Sequence, residues 1–200
     1  MIGSQLRPVV GRLFDPLVNL LLRLGVSPDA VTLTGTLGVV AAASWFFPRG
    51  DFLVGAWVIT FFVLTDTIDG ALARKKGISG PFGGWLDSTC DRVADGAIFG
   101  AIAVYYARQG DDTLLTVSLF VLVASLVVSY EKARAEGLGL TCNVGIAERP
   151  ERLIIILVAT GFVGFGVPEE LLDGSMWLLA VLLAVTVVQR ALEVRRQATA

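Results

Sequence analysis

Long apolar runs alternate with short polar turns along most of this chain, and the turns are rich in glycine, proline and acidic residues. A helix needs roughly 20 apolar residues to cross a hydrocarbon layer about 30 Å thick, and several runs approach that length. The pattern predicts an all-α integral membrane protein with six transmembrane helices. The predicted spans cover residues 29–47, 52–74, 84–107, 113–135, 150–165 and 175–193.

The segment before the first span has a different pattern, because apolar clusters in residues 4–24 alternate with arginine and asparagine. This pattern is typical of an amphipathic helix that lies on the membrane surface. Gly25 ends the segment, and Ser27-Pro28 is typical of a helix cap followed by proline at the first helical position. We expect residues 1–200 to form a single membrane domain with this juxtamembrane helix.

The composition supports the same class of protein. Hydrophobic residues make up 54% of the 200 residues and the mean hydropathy is +0.73, which disfavours an ordinary soluble domain. The net charge of −2 carries little information, and we expect no nucleic-acid partner. Cys90 and Cys142 lack the spacing of metal ligands, so we interpret them as free thiols.

The basic residues are distributed unevenly between the two sides of the predicted bundle. The turns at 48–51, 108–112 and 168–173 contain only Arg49 and Arg108 of the 16 lysines and arginines. Cytoplasmic loops of membrane proteins carry the excess of basic residues, so the bias predicts that both termini are cytoplasmic. We expect a multi-pass protein of the cell membrane.

Four aspartates interrupt the apolar pattern at helical spacing. Asp66 and Asp69 lie near the end of the second predicted span, and Asp87 and Asp91 lie near the start of the third. Residues three or four apart share one face of a helix, so each pair forms an acidic stripe. The glycine-rich loop at 77–84 predicts that the two helices are antiparallel neighbours whose stripes face each other at the cytoplasmic side.

Four carboxylates so close together in apolar helices need cations to stay ionised. Two divalent cations would balance their charge, and oxygen ligands without histidine or cysteine favour hard ions such as Mg²⁺ or Mn²⁺. Paired ions of this kind recur in enzymes that catalyse displacement at phosphorus. We therefore predict two Mg²⁺ or Mn²⁺ ions bound by the four aspartates.

Small and basic residues accompany the acids. Gly70, Ala73 and Gly83 keep side-chain bulk off the acidic face, which leaves room for a large ligand. Arg74 ends the first stripe, at the end of the second predicted span, where its guanidinium can bind a phosphate through two hydrogen bonds. Small residues at this spacing also serve helix packing, but the joint pattern favours a binding site.

The arrangement Asp66-x-x-Asp69-Gly70-x-x-Ala73-Arg74 followed by Gly83-x-x-x-Asp87-x-x-x-Asp91 resembles the signature of the CDP-alcohol phosphatidyltransferase family at all eight positions. The resemblance implies transfer of a phosphatidyl group from CDP-diacylglycerol to an alcohol, with release of CMP. It implies that the four aspartates are metal ligands and that Asp91 is also the catalytic base. It further implies that the enzyme is a homodimer.

The resemblance also implies where CDP-diacylglycerol binds. The family has a nucleotide-proximal segment at the start of the first span, and here it reads Pro28-Asp29-Ala30-Val31-Thr32, with Asp29 in place of the usual asparagine. The predicted CDP-diacylglycerol-binding residues are Asp29, Val31, Thr32, Leu33, Thr34, Gly70, Ala73, Arg74, Gly80 and Gly83.

A second basic group suggests the acceptor. Arg149 and Arg152 lie three residues apart at a predicted helix start, where the helix dipole already favours anions, so they predict a pocket for a phosphorylated alcohol. The stretches Lys-Ala-Arg-Ala-Glu at 132–136 and Glu-Arg-Pro-Glu-Arg at 148–152 resemble the actinobacterial phosphatidylinositol phosphate synthases of the family, which implies myo-inositol phosphate as acceptor. The predicted acceptor phosphate-binding residues are Lys132, Arg134, Arg149, Arg152 and Arg190. Asp95 is interpreted either as a ligand of an inositol hydroxyl or as a buried ion-pair partner.

Three alternatives remain open at this point. A phosphatidylglycerophosphate synthase would use another anionic acceptor, glycerol 3-phosphate. A divalent-cation transporter would also carry intramembrane carboxylates, but its acids should lie near the midplane. The third alternative is a packing or assembly subunit, suggested by Gly96-x-x-x-Gly100, a motif typical of helix packing either within the bundle or between two copies.

Overall fold

The computed structural model describes residues 15–77 and 80–199, apart from the side chains of Asp66 and Thr67. All regular secondary structure in this part of the chain is helical. The helices are α1 (15–23 within the described part), α2 (Pro28–Phe46), α3 (Phe52–Val63), α4 (Thr65–Lys76), α5 (Pro81–Gln109), α6 (Asp112–Gly137), α7 (Arg149–Gly164) and α8 (Glu170–Ala198). The part of the predicted surface helix before residue 15 lies outside the described residues.

Six of the helices form a closed ring. Starting from α2, the extensive packing contacts run to α5, then to α6, α8, α7 and α3, and α3 packs back on α2. The apolar core lies inside the ring, and Ile98, Phe99, Ile102, Ile156 and Leu179 at its centre are fully buried. Burial of each such side chain contributes about 1.5–3 kcal/mol before the loss of entropy is counted.

The second predicted span is not one helix. It is broken at Leu64, so that the first acidic stripe lies on the separate helix α4. The hydroxyl of Thr65 donates a hydrogen bond to the carbonyl oxygen of Phe62 at 2.5 Å, which occupies an acceptor that a continuous helix would use. Gly35 and Gly38 of α2 face this break, and a Cβ on either residue would collide with Thr65 or Phe62. The two glycines therefore let α2 pack closely against the break.

Helix α4 and the described part of α1 form a second, smaller core. Val18 of α1 packs against Ile68 and Leu72 of α4, and all three side chains are buried. Lys75 reinforces this contact, because its ammonium lies 2.6 Å from Oδ1 of Asp15. The helix that carries the first acidic stripe is thus held between α1 and α2.

The bounds of the third and sixth predicted spans differ most from the predicted ones, and the last helix ends at Ala198 instead of residue 193. The third predicted helix starts at Pro81 instead of residue 84, because proline at the first turn is compatible with a helix start. The last helix starts at Glu170 instead of residue 175, so most of the predicted acidic turn is helical. Tyr106 holds this early turn in place by donating a hydrogen bond to Oδ1 of Asp173 at 2.8 Å.

Four stretches are long and apolar enough to cross a membrane by length and composition. They are Pro28–Arg49, Phe52–Lys76, Asp112–Gly137 and Glu170–Ala198. This count covers the described residues. Helix α5 is not among these four stretches because its first half carries the charged residues Asp87, Asp91, Arg92 and Asp95. Helix α7 is not among them because it has only 16 residues.

Candidate active site

A groove of about 1690 Å³ is lined by residues of α2, α3, α4, α5 and α7. Its lining is polar at the start of α7, where Arg149 lies, and apolar towards Phe165, just beyond the end of that helix. The polar part is contributed by the starts of α2, α5 and α7 and by α4. The apolar part lies between α3 and α7, so the groove can receive a ligand that has a charged head and an apolar tail.

The two acidic stripes meet at this groove, but not through direct packing of their helices. Asp69 of α4 and Asp87 of α5 both line it. Within the described residues, α4 and α5 are not among the helix pairs in extensive contact, and α2 packs against both of them. The two stripes therefore lie on walls of one groove, and the helices that carry them do not pack extensively against each other.

The acids have different environments. Asp69 is buried, and its Oδ2 accepts a hydrogen bond from the hydroxyl of Thr32 at 2.5 Å. Asp87 is exposed to the groove. Asp91 is largely buried, with Oδ1 lying 2.7 Å from Nη1 of Arg149 and Oδ2 3.3 Å from Nη2 of Arg92. The side chain of Asp66 lies outside the described residues.

The glycines of the signature leave space instead of packing helices together. A Cβ placed on Gly83 would meet no atom within 4 Å. A Cβ on Gly70 would meet only Nη1 of Arg74, at 3.4 Å, so the Arg74 guanidinium lies beside Gly70 in the groove. Neither glycine is required by a packing contact between helices, so the effect of having no side chain at these positions is to enlarge the groove.

Seven of the ten predicted CDP-diacylglycerol-binding residues line the groove: Asp29, Thr32, Gly70, Ala73, Arg74, Gly80 and Gly83. The other three do not. Val31 packs on the small α1–α4 core, and Leu33 and Thr34 are exposed. One turn of helix presents residues to different sides, so only part of a contiguous segment can face one groove.

Among the five predicted acceptor-binding residues, Arg149 alone lines the groove. Arg152 is buried and donates to Asp95 Oδ2 at 2.8 Å and to the carbonyl oxygen of Ala147 at 3.0 Å. Arg190 is also buried and donates to the carbonyl oxygens of Val144 and Val128. Lys132 is half-buried and Arg134 is exposed on α6.

Arg152 and Arg190 therefore hold the segment that connects α6 and α7. The sequence allowed two roles for Asp95, a ligand of an inositol hydroxyl or a buried ion-pair partner. In the structure Asp95 is a buried ion-pair partner of Arg152 and Arg149.

Sequence reasoning missed the apolar wall of the groove. Trp57, Thr60 and Leu64 on the α3 side face residues of α7 such as Leu157 and Phe162. Groove-lining and lipid-facing positions of these helices are occupied by the same types of apolar residue, so hydropathy cannot distinguish the two kinds of position. Only the packing of α3 against α7 identifies this wall.

The donor chemistry of the groove fits a hard divalent cation. Carboxylates approach from both walls, and the buried carboxylate of Asp69 is oriented by the Thr32 hydroxyl, as ligating carboxylates commonly are. Within the described side chains, no three acidic, histidine or cysteine groups converge closely enough to hold one ion. Asp69, Asp87 and Asp91 are the described residues that would contribute oxygens.

The sequence matches the family model of the CDP-alcohol phosphatidyltransferases over residues 25–188. The chain belongs to the CDP-alcohol phosphatidyltransferase family. It is thus a transferase and, with its several apolar helices, a membrane protein.

Relatives within the family are similar over almost the whole chain. Phosphatidylinositol phosphate synthase of Streptomyces avermitilis is 50% identical, over 98% of this chain and 84% of that protein. The Mycobacterium marinum protein of the same name is 48% identical, over 92% of this chain and 80% of its own length.

Solved structures show the same similarity in three dimensions. The phosphatidylinositol phosphate synthase of Mycobacterium tuberculosis with CDP-DAG bound superimposes with a TM-score of 0.87 at 45% identity, covering 92% of this chain and 94% of that one. The same enzyme in complex with manganese and citrate gives a TM-score of 0.86 at 46% identity, covering 90% and 87%. Manganese in that structure supports dependence of the family on a divalent metal.

Proposed function

We propose that this protein transfers the phosphatidyl group of CDP-diacylglycerol to myo-inositol phosphate, giving phosphatidylinositol phosphate and CMP. The observation that carries the proposal is the groove itself. Six of the eight signature residues (Asp69, Gly70, Ala73, Arg74, Gly83 and Asp87) line its polar end with Arg149, and apolar residues line the other end. The relatives that share half of the sequence bear the name of this activity.

The groove accounts for recognition of the lipid donor. Arg74 beside Gly70 would bind the diphosphate, and the open space at Gly83 would accept the nucleotide. The acyl chains would follow the apolar wall between α3 and α7. Asp29 and Thr32 would contact the CDP portion from the start of α2.

Two divalent cations, Mg²⁺ or Mn²⁺, would be held by Asp66, Asp69, Asp87 and Asp91 and would polarise the phosphate oxygens. The acceptor hydroxyl oxygen forms the new bond to the phosphatidyl phosphorus, and the bond from phosphorus to CMP breaks. Asp91 takes the hydroxyl proton, and CMP leaves with the electron pair. Arg149, which lies 2.7 Å from Asp91, would bind the acceptor phosphate and so bring its hydroxyl close to the base.

We further propose that α5 and α7 cross the membrane together with the four apolar stretches, which gives six spans after a surface helix. With the basic residues on one side, both termini and the polar end of the groove face the cytoplasm of a cell-membrane protein. The chain would act as a homodimer, and the helices of two copies could approach closely at Gly96, since a Cβ there meets no atom within 4 Å.

The test is CMP release by the purified protein with CDP-diacylglycerol and one acceptor at a time. We expect turnover with myo-inositol phosphate, and little with glycerol 3-phosphate or with unphosphorylated myo-inositol. Lipid product with glycerol 3-phosphate alone would contradict the assignment. An Asp91→Asn variant that elutes as folded protein should release no CMP, and a substantial remaining rate would remove Asp91 as the base.

A further inference from the structure

Asp95 is the most completely buried acid in the described part of the chain, with 1% of its side chain exposed. It lies on α5, one turn beyond Asp91 and outside the family signature. A carboxylate at this depth needs cationic partners, because loss of its hydration costs several kcal/mol. Its Oδ2 lies 2.8 Å from Nη2 of Arg152, which is equally buried.

The second oxygen of Asp95 has a different partner. Oδ1 lies 3.3 Å from Nε of Arg149, whose side chain lines the groove and is 19% exposed. The same guanidinium places Nη1 2.7 Å from Oδ1 of Asp91. Arg149 thus bridges two carboxylates on the same face of α5, and its planar group is fixed at both ends.

This bridge connects helices that pack little against each other. Within the described residues, α5 and α7 are not among the helix pairs in extensive contact, so side chains set the position of Arg149 relative to Asp91. Arg152 cannot follow small movements of Asp95 freely, because its Nη1 also donates to the carbonyl oxygen of Ala147 at 3.0 Å. The position of Asp95 is therefore fixed, and its contact with Nε orients the Arg149 side chain at the groove.

We propose that Asp95 is a positioning residue that sets Arg149 for recognition of the acceptor phosphate. By holding Nε, it orients the guanidinium of Arg149 at the groove at a fixed separation from Asp91. That separation selects acceptors that carry a phosphate and a hydroxyl on one small molecule over unphosphorylated alcohols. The inference rests on the proposed function and extends it to a residue outside the signature.

A purely structural role for Asp95 would not require a contact with a residue that lines the groove. Arg152 alone neutralises one buried carboxylate, and a well-packed apolar pair at the same place is often at least as stable as a buried ion pair. The contact with Arg149 satisfies the second oxygen of Asp95, and it does so with a residue whose side chain lines the groove. Its effect is on the direction of the Arg149 side chain.

The test compares Asp95→Asn with wild type in steady-state CMP release, varying each substrate in turn. Asparagine keeps the shape but removes the charge that holds Arg149, so we expect the KM for myo-inositol phosphate to rise about tenfold or more, as for loss of a charge-assisted hydrogen bond. The KM for CDP-diacylglycerol should stay within about twofold of wild type. Preference for the phosphorylated over the unphosphorylated acceptor should fall in parallel.

Asp173→Asn is the matched control, since it removes a half-buried acid that accepts a hydrogen bond from Tyr106 at the other end of α5. It should leave both KM values unchanged. An Asp95→Asn enzyme whose acceptor KM equals that of wild type, or whose two KM values rise together, overturns the proposal.

A double-mutant cycle with Arg149→Met supplies a second criterion. If Asp95 acts through Arg149, Asp95→Asn should change the acceptor KM little in the Arg149→Met background; additive effects would contradict the proposal. Should Asp95→Asn fail to fold, Arg149→Lys replaces it, because lysine keeps the charge but cannot bridge both carboxylates. An acceptor KM for Arg149→Lys equal to that of wild type overturns the inference.

Failure of the proposed function gives a different result. Wild-type turnover with glycerol 3-phosphate alone would refute the inositol assignment, while the same Asp95→Asn comparison made with glycerol 3-phosphate would still decide the role of Asp95.

Discussion

The hydroxyl of Thr32 on α2 donates a hydrogen bond to Oδ2 of Asp69 on α4, and the two oxygens are 2.5 Å apart. Both side chains are buried although both residues line the groove. The contact joins the start of the first long helix to the acidic stripe 37 residues later. It fixes the orientation of a carboxylate on a helix that is separated from α3 by the break at Leu64.

Removal of this hydrogen bond should weaken metal binding. Thr32→Val keeps the side-chain shape but removes the donor, and loss of a group that orients a ligand commonly costs roughly 10-fold or more in metal affinity. We expect the Mn²⁺ concentration for half-maximal CMP release to rise by that factor. Thr32→Ser is the control, because it keeps the hydroxyl, and an unchanged Mn²⁺ requirement in Thr32→Val would argue against an orienting role.

The open space at Gly83 should be a requirement of substrate binding. A Cβ there meets no protein atom, so Gly83→Ala should fold as wild type does. We expect a several-fold rise in the KM for CDP-diacylglycerol, because the added methyl group enters the groove. Gly174→Ala places a methyl group in equally open space on α8, away from the groove lining, and should leave this KM unchanged. Equal kinetics for the two variants would contradict the assignment of Gly83.

The contact between α3 and α7 should depend on Gly164. A Cβ at this position would collide with the backbone of Leu53, which cannot move without displacing α3. Gly164→Ala should therefore destabilise the fold by about 1–3 kcal/mol, measured as a lower thermal midpoint in detergent. Gly161→Ala lies one turn earlier, where a Cβ makes only an ordinary 3.9 Å contact with Ala56. A similar loss of stability in both variants would count against the close contact at Gly164.

Cys142 should make folding depend on pH in alkaline solution. The thiol is fully buried in the segment between α6 and α7, and this burial raises its pKa. The unfolded chain loses this proton from about pH 8.5, whereas the folded chain keeps it to higher pH, so stability should fall as pH rises through that window. We expect the thermal midpoint of wild type to fall more steeply above pH 8.5 than that of Cys142→Ala. Parallel profiles would show that the thiol does not ionise on unfolding.

Chelation provides the simplest test of the metal. Excess EDTA should stop CMP release, and added Mg²⁺ or Mn²⁺ should restore it, because a groove lined by the carboxylates of Asp69 and Asp87 needs cations to bind a diphosphate. Ca²⁺ added at the same concentration is the control for a general charge effect, since its longer and less rigid coordination should support less turnover. Catalysis that continues unchanged in excess chelator would contradict the proposed mechanism.

Local patterns predicted much of the fold and the family. Helical spacing placed Asp69 and Asp87 on faces that both line the groove, and hydropathy located the long helices to within a few residues at most ends. These predictions succeeded because residues three and four apart share one face of a helix, so short-range spacing is enough to assign a residue to a face. The break at Leu64 was not predicted, because it depends on Thr65 and on two glycines of another helix.

The sequence by itself determined an all-helical chain, its acidic stripes and its membership of the CDP-alcohol phosphatidyltransferase family, because these depend on residue type and short-range spacing. The tertiary structure alone decided that a groove separates α4 from α5, that Arg149 lines it while Arg152 is buried, and that Asp95 bridges the two arginines. These relations join residues up to 57 positions apart. They arise from the order in which helices close the ring, and that order is a property of non-local packing.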